Sequence, residues 1–239
     1  MRGREEQLKR LTRFLFCLFL ALALLGCGSK PKGEGPPKKP ALGEASDPAA
    51  AVAVDLRPAI VALGNSLTAG LGVDPAENYP ARLQARLDAE GYRYRVLNMG
   101  VSGDTSAQGL GRLEAVREAR PEIAIVELGA NDGLRGMPVD STRSNLETII
   151  RGLQSDGVKV ILAGMKVPPN YGLQYTSVFR DLFSELAEQY KIQLIPFFLE
   201  GVAGRFNLNQ EDGIHPTAKG YEIVTENVWK VLKGLLRKS

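Results

Sequence analysis

The chain has 239 residues, 44% hydrophobic and 24% charged, with a formal charge of +3. That length gives one ordinary domain with room for extensions. Residues 1–56 carry nine Lys/Arg against six Asp/Glu, so the rest is balanced and the basic excess lies at the N-terminal side. A nucleic-acid partner would need a basic patch on the folded domain, which argues against that class.

The first element is a leader. Arg2, Arg4, Lys9, Arg10 and Arg13 precede an apolar run from Phe14 to Leu25. A charged segment followed by a short apolar core reads as a secretory signal, and the run is short for a membrane span. It closes on Leu24-Leu25-Gly26-Cys27, which resembles a bacterial lipobox, with Cys27 as the lipid-bearing first mature residue. Several acyl chains on one residue give stable attachment, so residues 1–26 are expected to be a lipoprotein signal peptide. An ordinary signal peptide or an uncleaved anchor is the alternative. Residues 27–56 are rich in Pro, Lys and Gly and bury no core; they read as a tether. The implied location is a bacterial cell envelope, with Gly28 after the cysteine favouring an outer membrane where there are two. Cys17 and Cys27 are the only cysteines, so the body has no disulfide, no cysteine metal site and no thiol nucleophile.

From residue 57 onward strands alternate with helices. Ala59 to Leu63 is an apolar strand. A helix follows over about Tyr79–Glu90, with Leu83 and Leu87 on one face and Gly91 as its stop. Tyr94–Met99 is a second strand and Ala107–Ala119 a second helix. Glu122–Leu128 is a third strand, and the helix over Thr142–Ser155 presents Leu146, Ile149, Ile150 and Leu153. Val158–Ala163, a helix over Tyr175–Tyr190, Ile192–Pro196 and a last helix over Ala218–Leu236 complete the pattern. Such alternation implies right-handed βαβ units and a parallel sheet covered on both faces, in one domain over 57–239.

The informative residues stand just after the strands: Gly64-Asn65-Ser66, Gly100-Val101-Ser102-Gly103-Asp104, Gly129-Ala130-Asn131-Asp132-Gly133 and, near the C-terminus, Asp212-Gly213-Ile214-His215-Pro216. In open α/β sheets a site forms at the carboxyl ends of the strands. Acyl transfer needs a nucleophile, a base, an orienter and oxyanion donors. Ser66 supplies the hydroxyl, His215 is the only imidazole, and Asp212 is one tight turn away from it. The donors would be the Ser66 N–H, the Gly103 N–H and the Asn131 amide. Taken singly each residue has a structural reading: Ser66 or Asp132 as a helix cap, Asp212 and His215 as a cap for the last helix, the glycines as turn formers.

Together these blocks resemble the SGNH hydrolase, or GDSL esterase/lipase, family over about residues 58–236, and most of all its thioesterase I/lysophospholipase L1-like arylesterase branch. Ser66, Gly103, Asn131 and His215 with Asp212 match its blocks. The resemblance implies a flavodoxin-like three-layer α/β/α sandwich with a five-stranded parallel sheet. It also implies ester or thioester hydrolysis through an acyl-enzyme, with no metal and no cofactor. The first block departs from the family's Gly-Asp-Ser-Leu, reading Gly-Asn-Ser-Leu here.

Leu134, Met137, Val167 and Tyr171 are candidates for an apolar groove that takes an acyl chain, with core or rim packing as the alternative. Short loops imply an open site and a tolerance of several small ester or lipid substrates, handled by a monomer. Two rivals are a carbohydrate O-acetylesterase of envelope polysaccharide and a non-catalytic binding module on the same fold.

Overall fold

A computed structural model of the chain describes residues 55–238. The expected signal peptide, the lipidation site Cys27 and nearly all of the tether lie outside the described residues.

The sheet has five strands: β1 (Ala59–Gly64), β2 (Arg95–Gly100), β3 (Pro121–Glu127), β4 (Lys159–Ala163) and β5 (Gln193–Ile195). Their order is β2-β1-β3-β4-β5 and every pairing is parallel. The helical elements are α1 (Ser66–Ala69), α2 (Tyr79–Ala89), α3 (Ser106–Gly111), α4 (Leu113–Glu118), α5 (Ala130–Leu134), α6 (Val139–Ser155), α7 (Leu173–Tyr190) and α8 (Ala218–Leu232). Helix α2 packs with α8, while α6 packs with α3 and α7. This is the three-layer α/β arrangement that the alternation implied.

Burial explains why the strands read as apolar runs. Every residue of β1 is buried, since a central parallel strand is covered on both faces. The expected helix faces are the buried ones: Leu83 and Leu87 on α2, and Leu146, Ile149, Ile150 and Leu153 on α6.

Among the boundaries that differ from expectation, three are marked by glycines. The helix expected over 107–119 is two, α3 and α4, parted at Arg112. Gly109 admits the Leu128 side chain, whose Cδ1 would lie 2.1 Å from any Cβ there, and glycines at 109 and 111 weaken the helix. The last helix ends at Leu232 and continues as a 3-10 turn over Lys233–Leu235, which contains Gly234. Helix α7 begins at Leu173, two residues early, after Gly172 turns the chain at φ 87°.

The order 2-1-3-4-5 reverses direction between β1 and β3. Loops after neighbouring strands diverge there and leave a crevice at the carboxyl edge. Gly64-Asn65-Ser66 leaves β1 and Gly129-Ala130-Asn131 follows β3, so both flank that crevice.

Candidate active site

Ser66 opens the first turn after β1. Asn65 Oδ1 accepts the Leu67 N–H at 2.9 Å and caps α1, so the cap weighed for Ser66 belongs to its neighbour. Gly64 permits the tight exit, because a Cβ there would stand 2.0 Å from Thr68 Oγ1. The Asn65 carbonyl accepts from Thr68 N and Ala69 N at 3.2 and 2.9 Å. Across a trans peptide the Ser66 N–H is antiparallel to that carbonyl and points away from α1. Ser66 is buried, at 8% exposure.

His215 comes from the far end of the chain. Its Nε2 lies 2.9 Å from Ser66 Oγ, and its Nδ1 lies 2.6 Å from Asp212 Oδ2. A carboxylate only accepts, so Nδ1 carries the hydrogen and Nε2 is left to accept from the serine hydroxyl. The Asp212–His215 turn is held by its own backbone. Asp212 Oδ1 accepts the N–H groups of Ile214 and His215 at 2.9 and 3.0 Å, and Gln210 N donates to the His215 carbonyl at 2.8 Å. The His215 backbone and ring, with the Ile214 N–H, hold the Asp212 carboxyl down at about 2. Because the value is lowered, the stabilisation this carboxylate gives is complete above its usual 3.8 and is lost as pH falls through about 2. Asp212 and His215 do not cap the last helix; Thr217 does, accepting the Gly220 N–H at 3.2 Å.

Gly103 sits at φ 89°, a left-handed conformation that side chains rarely adopt. Asn131, in the first turn of α5, donates one amide N–H to the Asp104 carbonyl at 2.9 Å. A second N–H on the same nitrogen is left for a ligand. Asp132 does not cap the segment that follows it. It is buried, and it accepts from Ser106 Oγ and Ser106 N at 2.5 and 2.8 Å, which ties α5 to the start of α3.

Two residues of the site carry no motif. Arg112, at the break between α3 and α4, reaches the Met99 carbonyl at 2.7 Å, the Gly64 carbonyl at 3.1 Å and the Asp104 carboxylate at 2.6 Å. One guanidinium thus ties the ends of β1 and β2 to the Gly103 loop. Glu127 ends β3, is fully buried, and accepts from Asn65 Nδ2 at 2.8 Å. Its signal in the sequence is a lone carboxylate closing an apolar strand.

The expected groove residues are part-buried and only partly assembled. Tyr171 Oη donates to the Leu134 carbonyl at 2.6 Å, joining the turn after β4 to α5. The Met137 carbonyl accepts from Tyr175 Oη at 2.8 Å. Val167 lies over Gly133, where a Cβ would be 2.4 Å from its Cγ1. Val167 alone of the four lines the shallow hollow it shares with Lys166, Leu173, Thr176, Ser177 and Arg180. Among the described residues no cluster of three or more His, Cys, Asp or Glu is arranged to hold a metal ion.

Residues 62–223 match the GDSL-like Lipase/Acylhydrolase family. The esterase TesA of Pseudomonas aeruginosa is 46% identical over 178 residues, covering 74% of this chain and 89% of that protein. Thioesterase 1/protease 1/lysophospholipase L1 of Escherichia coli is 34% identical over 178 residues, 74% of this chain and 84% of its own length. The crystal structure of TesA superposes with a TM-score of 0.72 at 45% identity, covering 74% of this chain and 99% of that one. Fold, site geometry and these likenesses agree: the chain belongs to the GDSL-like lipase/acylhydrolase family.

Proposed function

We propose that the chain is a serine esterase hydrolysing aryl and short-to-medium acyl esters, with lysophospholipids and acyl thioesters in its range. The observation that carries this is the unbroken line from Ser66 Oγ through His215 to Asp212, with contacts of 2.9 and 2.6 Å, across 149 residues of sequence. Ser66 Oγ attacks the ester carbonyl carbon while His215 Nε2 takes its proton. The oxyanion is met by the N–H groups of Ser66 and Gly103 and the Asn131 amide, each donor typically worth about 3–4 kcal/mol of barrier. Collapse expels the alcohol or thiol, which leaves with the proton from His215. Water then attacks the acyl-enzyme, His215 takes its proton and returns it to Ser66 Oγ, and the acid departs.

The preference for acyl over compact polar substrates is supported by the rim. Leu71, Val101, Leu173, Phe206 and Ile214 are exposed, Phe206 at 94% and Leu173 at 84%. All five sit in segments that leave the carboxyl ends of strands. The names of the relatives, esterase, arylesterase and thioesterase/lysophospholipase, point the same way.

The test is turnover of aryl esters of increasing acyl length and of a lysophospholipid, beside labelling by a fluorophosphonate. Labelling at Ser66 with turnover beyond acetate is expected. Absence of labelling would overturn the reading, and acetate release from acetylated glycans alone would replace it with the deacetylase. The enzyme is further proposed to work as a monomer, since one chain supplies every group named above, and to be lipid-anchored in a bacterial envelope through Cys27. The Leu24-Leu25-Gly26-Cys27 sequence supports the anchor. Labelled palmitate should enter the wild type and not Cys27→Ser; light scattering checks the monomer.

A further inference from the structure

One buried carboxylate has no part in the acyl-transfer steps. Glu127 is 0% exposed, and three donors of the nucleophile segment converge on it. Asn65 Nδ2 meets Oε1 at 2.8 Å, Asn65 N meets Oε2 at 3.2 Å, and Thr68 Oγ1 meets Oε2 at 2.8 Å. The register sets this up. Gly64 stands opposite Glu127 in the β1–β3 ladder, and a Cβ on Gly64 would be 2.7 Å from Glu127 Oε2. The glycine leaves room for the carboxylate under the turn that carries Ser66.

The Asn65 amide is held from both ends. Oδ1 accepts the Leu67 N–H at 2.9 Å and lies 3.5 Å from Ser66 Oγ, while Nδ2 faces Glu127. A flipped amide would set a donor against the Leu67 N–H and an acceptor against the carboxylate. The family's name carries Gly-Asp-Ser-Leu where this chain has Gly64-Asn65-Ser66-Leu67. An aspartate here would face Glu127 oxygen to oxygen.

The other groups around Glu127 are Thr68 from α1, Tyr79 from α2, whose hydroxyl is 3.3 Å from Thr68 Oγ1, and Tyr221 from α8, whose hydroxyl donates to the Leu67 carbonyl at 3.0 Å. From the Gly103 side, the Arg112 guanidinium binds the Gly64 carbonyl of the same segment at 3.1 Å. Burial pushes the Glu127 carboxyl up to about 8, against the pull of the Thr68 and Asn65 hydrogen bonds. When it holds a proton, Oε2–H can donate to Thr68 Oγ1 and Oε1 still accepts from Asn65.

We infer that Glu127 is a positioning residue for Ser66 and that Asn65 makes this positioning independent of pH. The amide-to-carboxyl bond forms with Glu127 ionised or protonated. Two carboxyls at that spacing hold together only with a proton between them and repel when it leaves. The inference rests on the esterase reading of Ser66.

The test compares the pH profiles of kcat/KM on an aryl ester for wild type, Asn65→Asp, Glu127→Gln and the double variant, with thermal unfolding at each pH. For Asn65→Asp the ratio of alkaline to neutral kcat/KM should fall about tenfold or more below the wild-type ratio, the loss per pH unit above a single controlling group. Glu127→Gln keeps one acceptor oxygen where two Asn65 donors, Nδ2 and the backbone N–H, each need one, so an amide N–H meets a donor in either orientation and activity should be impaired at every pH. The double variant exchanges the two ends of the same pair, so it should exceed Glu127→Gln and regain the wild-type ratio. An Asn65→Asp profile parallel to wild type overturns the inference, and so does a double variant no better than Glu127→Gln. If Glu127→Gln does not fold, the Asn65→Asp profile decides alone, since the family's name shows that the fold accepts aspartate there. Failure of the esterase reading is distinct: the wild type itself would then show no turnover.

Discussion

At the carboxyl edge of the sheet side chains hold loop backbone as well as one another; at the amino edge the ion pairs stand out. Arg112 holds the Met99 and Gly64 carbonyls, Arg135 the Gly103 carbonyl at 3.0 Å, Asn98 the Thr68 carbonyl at 3.0 Å and Gln210 the Leu71 carbonyl at 2.7 Å. At the amino edge Arg117 pairs with Asp156 at 2.6 Å and Lys159 with Glu122 at 2.9 Å. A wide hollow opens there between Arg117, Glu118, Arg120, Pro121 and Asp156, yet nothing nucleophilic faces it. Where the strand ladders stop, the carbonyls need new partners. The carboxyl edge supplies them with side chains and so holds loops in shapes that no repeating structure gives. The ion pairs of the amino edge are about a third exposed, so solvent screens them.

The comparison breaks most sharply at Ser66. Ser66→Ala should lower kcat on aryl esters by about a million-fold, with His215→Ala close to it and Asp212→Ala some 10- to 100-fold less severe. The unfolding midpoint of Ser66→Ala, measured in parallel, should barely move. Turnover surviving in Ser66→Ala would mean that the carboxyl edge is no catalytic edge.

Arg112→Met comes next. It leaves two carbonyls and the Asp104 carboxylate short of a donor, at a cost of about 1–3 kcal/mol in denaturant unfolding, and it should reduce kcat more than it raises KM. A smaller effect follows from Glu127. Its folded value is raised, so ionising it costs stability. The cost begins above the usual carboxyl value of 4.5 and grows until pH reaches about 8. Wild-type unfolding should weaken across that window, and Glu127→Gln should flatten the slope. The least effect belongs to the amino edge, where Arg117→Ala or Lys159→Ala should cost under about 1 kcal/mol and leave turnover alone. A large kcat loss from either would erase the distinction between the edges.

Much of this was legible in the sequence because burial on both faces makes central strands apolar, as in β1 and the middle of β3. Glycine and polar loops then mark where each strand stops. Ser66, Gly103, Asn131, Asp212 and His215 were picked as candidates that way. Arg112 was not, because it acts through carbonyls on two strands that only the crossover brings beside it. Glu127 passed as the last residue of a strand, since its partners, Asn65 and Thr68, lie about 60 residues earlier. The cap fell to Asn65, whose Oδ1 takes the Leu67 N–H while the Ser66 hydroxyl faces His215, which spacing alone does not resolve. The groove was the least legible. Leu134 and Met137 are engaged through their backbone carbonyls, which side-chain type does not reveal.

The chain enters the sheet at Ala59 and runs up β1 to Ser66, so residue 59 and the nucleophile stand at opposite edges of the sheet, about 20 Å apart. Under the anchoring proposed above, the tether would pull on the edge away from the crevice, and its length would set how often the crevice meets the bilayer. Shortening it should slow turnover of bilayer-embedded esters while leaving water-soluble ones untouched.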